Sequence, residues 1–198
     1  MNYLAHFILA FNDPEILVGQ FISDDIKGNQ YLNYQGGVRN GILLHRFIDD
    51  FTDTHPLCLE IRKDIRQELG LFSGIAIDVY FDYCLSVNWS THSPQNMEEF
   101  IQNVYSVLNA NSVVMNEKRR FILSKMQEQD WLGRYKTLEG IDLTLQQMSF
   151  RVPEGRKLHK AAGLLEKHEK KVKEIFEIFF PQLTSASKFK LDTFAPLG

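Results

Sequence analysis

Cysteine is nearly missing from this chain. Cys58 and Cys84 are the two thiols in 198 residues, and their spacing is not C-x-x-C. That excludes a disulfide framework and fits a reducing cytosol. No stretch sustains the period-two alternation of a half-buried strand. Internal repeats, low-complexity runs and linker-like segments are also absent, so no domain boundary is expected. The G-x-S-x-G elbow, the P-loop, the dinucleotide fingerprint and H-E-x-x-H do not occur, which removes the usual support for the chemistries they carry. The first apolar run lacks a basic flank and stops at Asn12-Asp13-Pro14. It is too short to span a membrane and poor as a signal peptide. A net charge of −3 without a recognisable module argues against nucleic-acid binding.

What is present is helical. The chain is 44% hydrophobic and 24% charged, with 15 Phe and seven Tyr, enough apolar side chain for one aromatic-rich domain. Apolar spacing predicts helices over residues 3–11, 14–27, 38–51, 54–69, 71–87, 93–108, 116–129, 138–150 and 156–180. Asp13 and Pro14 form an N-cap and a first helical position. Gly19 costs about 1 kcal/mol inside its helix, so close approach of another backbone is the expected compensation. Arg151-Val152-Pro153 is read as a break, Pro181 as the end of the last helix, and residues 185–198 as a tail with little order. The expected fold is all-α: a single-domain multi-helix bundle over residues 1–184.

Charge is unevenly distributed. Residues 1–100 hold six Lys/Arg against fourteen Asp/Glu, a net of −8, while residues 151–190 hold ten against five, a net of +5. The segment Gly41 to Pro56 organises the acidic half. His45 and Asp49 are four apart and share one helix side. A neutral imidazole and a carboxylate one turn apart can hold one metal ion; the bland alternative is a solvated surface pair. Asp78 and Asp82 share another helix face in an otherwise apolar stretch, where unpaired carboxylates are costly. His6 lies among apolar residues and, taken alone, reads as a core histidine. Ser23-Asp24-Asp25 closes a helix, where carboxylates oppose the dipole; a metal or Lys27 would offset them.

His6, Asp24, His45, Asp49, Asp53, Asp78 and Asp82 thus come from four predicted helices, the way helical bundles build metal sites. Mixed His/carboxylate ligation favours Mn, Fe, Zn or Mg. Such an ion polarises a phosphoryl oxygen and activates water near neutral pH, and Arg46 and Lys27 could neutralise the phosphate.

These residues sit in pieces that resemble the acyl carrier protein phosphodiesterases. The pieces are Asn2-Tyr3-Leu4-Ala5-His6, Gly19 to Asp24 with Lys27-Gly28, Gly41 through His45-Arg46-Phe47-Ile48-Asp49 to Asp53, and Asp78-Val79-Tyr80-Phe81-Asp82 with Leu85 and Trp89. Weaker likeness continues through Trp131-Leu132, Leu138 to Ile141 and Met148, covering roughly residues 1–180. Gln20 and Tyr83 stand where the family usually has Asn and His. The resemblance implies a cytoplasmic hydrolase using a divalent metal, usually Mn²⁺, distantly HD-phosphohydrolase-like. The substrate implied is holo-acyl carrier protein, cleaved at the phosphodiester that joins 4′-phosphopantetheine to serine. It implies Asp24, His45, Asp49 and Asp78 as metal ligands. His6, Asp53 and Asp82, with Arg46, would act in proton transfer or from behind the ligands. Carrier proteins are acidic, which gives the basic excess around Lys170 and Lys171 a use. The alternatives are a phosphohydrolase of a small nucleotide-like substrate and a catalytically inactive carrier-binding module.

Overall fold

The computed structural model describes residues 1–150 and 154–194; the expected break at Arg151-Val152-Pro153 lies outside them. Among the described residues there are ten α-helices and no strand. They are α1 (Tyr3–Ile8), α2 (Pro14–Ile22), α3 (Gly36–Thr54), α4 (Pro56–Leu69), α5 (Ser73–Val87), α6 (Trp89–His92), α7 (Met97–Ala110), α8 (Glu117–Glu128), α9 (Leu138–Ser149) and α10 (Ala161–Asp192). The all-α expectation holds.

Two local rules set the first half. Asp13 accepts hydrogen bonds from the Glu15 and Ile16 amides, with Pro14 at the first position of α2, as its residue type dictates. Helices α2 and α3 then run side by side in the same direction. Glu15 Oε2 accepts from the Gly37 amide at 2.7 Å near their starts. Gly19 packs on Gly41 further along, and Asp24 meets His45 at the far end. A Cβ on Gly19 would stand 2.1 Å from the Val38 carbonyl oxygen, and one on Gly41 2.2 Å from that of Ile16. Backbone contact is therefore what offsets the helical glycines, as the sequence led us to expect.

Helix α5 is the central element. Ala76, Ile77, Val79, Tyr80, Phe81, Cys84 and Leu85 are buried around most of its circumference, the signature of a helix enclosed by others. It packs against α1, α4, α9 and α10. Both cysteines are free and buried, their thiols pushed up to about 12 by burial. The stretch Pro56–Val87 is long and apolar enough to cross a membrane by length and composition. Here Gly70 divides it, and it supplies the core.

Among the element boundaries that differ from expectation are three in α2, α7 and α10. The helix expected from Ser93-Pro94 starts at Met97, because the Asn96 side chain caps the Glu98 and Glu99 amides. The helix expected to reach Lys27 ends at Ile22 and tightens into a 3-10 turn, Ser23–Asp25. Pro181 does not end α10, which runs on to Asp192. Phe176, Phe179, Phe180, Leu183 and Ser187 keep one face buried, so packing outweighs the hydrogen bond that proline removes. Residues 185–192, expected as a tail, are helical.

Candidate active site

The parallel pairing of α2 and α3 brings the acidic 3-10 turn against the middle of α3. His45 Nε2 lies 3.3 Å from Asp24 Oδ1 and 3.2 Å from Asp49 Oδ2. Helix α1 adds His6, whose Nε2 is 3.2 Å from Asp49 Oδ1. The two imidazoles stack at 3.9 Å, 11° from parallel, with one carboxylate between their nitrogens. His6, His45 and Asp49 each offer one ligand atom within 4.8 Å of the others.

Hydrogen bonding shows what this cluster can hold. Gln20 Nε2 donates to the His6 carbonyl at 2.7 Å, which orients the amide and turns Gln20 Oε1 toward His6 Nδ1 at 2.8 Å. An acceptor there requires a proton on Nδ1. His6 Nε2 then faces two more acceptors, the Met1 carbonyl at 3.1 Å and Asp49 Oδ1. A second proton is opposed by burial and by His45, which both push the His6 pKa down. Burial alone would also lower His45, but its hydrogen bonds to Asp24 and Asp49 raise it to about 9. Burial would raise Asp24 and Asp49; hydrogen bonds from His45 hold both well below the usual carboxylate range. A proton on His45 Nε2 sits between Asp24 and Asp49; with it released, both imidazole lone pairs and the two carboxylates converge on one point, the environment a divalent cation fits. Behind the ring, Gln20 does what outer partners of ligating histidines do, fixing tautomer and orientation.

The remaining expected residues divide into two groups. Asp53 and Asp78 line the same cavity as His6, Asp24, His45 and Asp49. Asp78 is engaged, its Oδ1 accepting from the Met1 α-ammonium at 2.9 Å. Burial works against that ammonium, yet Asp78 and Asp49 raise it to about 10. Asp53 sits exposed, with Oδ1 3.3 Å from Arg62. Asp82, Lys27 and Arg46 do not line the cavity. Asp82 is fully buried and accepts the amides of Leu4 at 2.8 Å and Ala5 at 3.2 Å. It caps α1 from another helix, since the Asn2 side chain does not. Arg46 donates to the carbonyls of Ile26 and Gly28 and lies over the Tyr31 ring, stitching the 23–34 connection to α3. Lys27 is exposed, and its backbone amide donates to Gln30 Oε1 at 2.8 Å at the start of a 3-10 turn.

Sequence reasoning missed Arg119. Its side chain is 2% exposed, and it donates to Asp24 at 2.9 Å and Asp25 at 2.8 Å. With Lys118 on Asp25, it is the positive charge that the acidic turn needed; Lys27 is not. Tyr83, where the resemblance led us to expect His, points away from the cavity and donates to Glu169 at 2.6 Å. A further part of the lining was also missed: Trp131, Tyr135, Thr144, Gln147 and Met148 border the same cavity, of about 340 Å³, together with Asn2 and Tyr3.

Comparison with known proteins gives this geometry a family. Residues 1–183 match the family model described as acyl carrier protein phosphodiesterase. A protein of that name from Photorhabdus laumondii is 30% identical over 191 residues, 96% of either chain. Another from Yersinia enterocolitica is 29% identical over 96% of this chain and 99% of its own. One from Salmonella agona is 30% identical over 193 residues, again 96% and 99%. No solved structure matches the chain. By a match that takes in every helix of the cavity, the chain belongs to the acyl carrier protein phosphodiesterase family.

Proposed function

We propose that this protein is a cytoplasmic, metal-dependent hydrolase of holo-acyl carrier protein, which it converts to apo-carrier and 4′-phosphopantetheine. The observation that carries the reading is the convergence of His6 Nε2, His45 Nε2 and the Asp49 carboxylate, with a proton accounted for on the far side of His6. His6, His45, Asp49 and Asp24 are the residues proposed to hold the ion, with Mn²⁺ the metal the family resemblance favours. When bound there, a divalent ion supplies Lewis-acid polarisation of a phosphoryl oxygen and lowers the pKa of water.

The residues of the chain do the rest. Gln20 presents the lone pair of His6 by holding its other nitrogen. Arg119 anchors Asp24 Oδ2, leaving Oδ1 toward His45. Asp53, at the exposed end of the cavity, has Oδ2 free of the Arg62 contact and accepts a proton from the attacking water. Lys27 and Arg46, first expected to neutralise the phosphate, do not line the cavity and are given no such role. Water adds to phosphorus, the bond to the serine oxygen breaks, and that oxygen leaves with a proton. Since Tyr83 faces Glu169, the substitution at 83 takes nothing from the cavity, which supports an active enzyme over an inert binding module.

Incubating holo-carrier with the protein and Mn²⁺ and weighing the carrier tests this directly. Loss of the phosphopantetheine mass is expected, and is abolished by chelator. A carrier of unchanged mass would end the reading.

A further inference from the structure

Resting on the carrier-protein reading, we propose that the uncharged wall of the cavity is a binding subsite for the pantetheine arm of the substrate. The two walls differ in chemistry. One bears the imidazoles and carboxylates; the other is Trp131, Tyr135, Thr144, Gln147 and Met148, none of them charged near neutral pH. Thr144, Gln147 and Met148 stand at i, i+3 and i+4 of α9 and so share one face. All three are half-buried, with room to be covered further.

Their hydrogen-bonding state is specific. Arg134 donates to Gln147 Oε1 at 3.3 Å, fixing the amide. Among the described residues Gln147 Nε2 reaches only Gln129 Oε1, at 3.4 Å, which leaves it an N–H to give. The Thr144 hydroxyl donates to the Gly140 carbonyl at 2.9 Å and keeps its lone pairs to accept. One donor and one acceptor about a turn apart match the C=O and N–H of a secondary amide. The Met148 thioether and the Trp131 ring offer soft apolar surface beside them. A pantetheine arm is this kind of molecule: two secondary amides in a flexible apolar chain without charge, ending in a thiol. A cavity of about 340 Å³ belongs to the small-molecule class and cannot admit a folded carrier domain. The reacting phosphodiester joins only two things, a serine on the carrier and the arm. With the phosphoryl group at the imidazoles, the neutral wall is left to the arm.

The test uses Mn²⁺-loaded protein and reduced pantetheine, which carries no phosphate, titrated by calorimetry, with adenosine in a parallel arm. Saturable pantetheine binding is expected, weakened at least tenfold by Met148→Trp and by Gln147→Leu while bound Mn²⁺ per chain stays the same. The loss of holo-carrier turnover in these variants should exceed their loss on a small aryl phosphodiester at least tenfold. Absence of pantetheine binding overturns the subsite, as does binding that neither substitution touches. Tighter binding of adenosine, weakened by the same substitutions, overturns it in favour of a nucleoside. Wild-type protein that binds pantetheine in this pattern yet leaves holo-carrier intact would sink the reaction and keep the subsite.

Discussion

Removing the guanidinium of buried Arg119 takes one of two cations from half-buried Asp25, which keeps Lys118, and the cation from exposed Asp24. The carboxylates left behind keep water or Lys118, so the cost stays below the about 3–5 kcal/mol of stranding a buried charge, and Arg119→Met should show a moderate loss in urea melts. Asp24 loses its anchor in the same change, and Mn²⁺ affinity should fall tenfold or more, the usual effect of removing an outer-shell partner; unchanged affinity would make Arg119 purely structural. Asp82 predicts a pH effect. Burial raises its carboxyl to about 7 in the fold, against an ordinary value of 3.8, with the Leu4 and Ala5 amides opposing that rise. The folded protein therefore holds a proton that the unfolded chain releases. Its stabilising contribution is full below about pH 4 and is lost as pH climbs through about 7. Asp82→Asn should flatten that segment of the stability curve relative to wild type in chemical melts at successive pH. Of these residues, the sequence revealed His45 and Asp49 as a pair, because four-residue spacing on a helix is a local property. It could not reveal Arg119, 95 positions from its partner Asp24, or the capping role of Asp82, because both depend on which helices meet.

At the scale of elements, the contact of α2 with α3 is sterically unforgiving. Gly19→Ala or Gly41→Ala forces a methyl into backbone oxygen, and overpacking of this kind typically costs about 1–3 kcal/mol. Because Asp24 follows α2 and His45 lies on α3, either change should also lower bound metal per folded chain. Full metal content in a destabilised variant would separate packing from the site. The end of α10 gives a second test. Leu183 and Ser187 are buried, and Lys188 and Lys190 lie over the Phe11 and Phe47 rings at 5.4 and 5.7 Å. Deleting residues 185–198 should lower the melting temperature by several degrees, where trimming a loose tail would leave it unchanged. Caps and apolar periods made most helices legible: Asp13-Pro14 marks its start by residue type alone. Pro181 misled because its local rule was outweighed by a buried face that only the assembled fold supplies.

Across the whole molecule, the basic excess of residues 151–190 is partly neutralised internally. Lys171 binds Asp64 and Glu60, both at 2.8 Å, and Lys173 binds Glu169. Arg156, Lys157 and Lys160, before α10, are exposed. Reversing Lys157 and Lys160 to Glu should slow association with an acidic carrier, most at low salt, since screening acts over about 8–10 Å at 0.1–0.15 M. Rates in stopped flow that ignore both salt and substitution would exclude electrostatic docking. The acid-to-base asymmetry was legible from composition; which lysines are spent inside the protein was not. The capping of α1 by Asp82 bears on a different property, the order of assembly. Six residues are too few to form a helix unaided, so α1 and its His6 are in register only once α5 has docked beneath them. The Leu4 and Ala5 amide protons should therefore exchange with deuterium as slowly as the deepest core of α5, despite lying near the start of the chain. Added Mn²⁺ should slow them further, because an ion that binds the native state alone deepens the opening equilibrium.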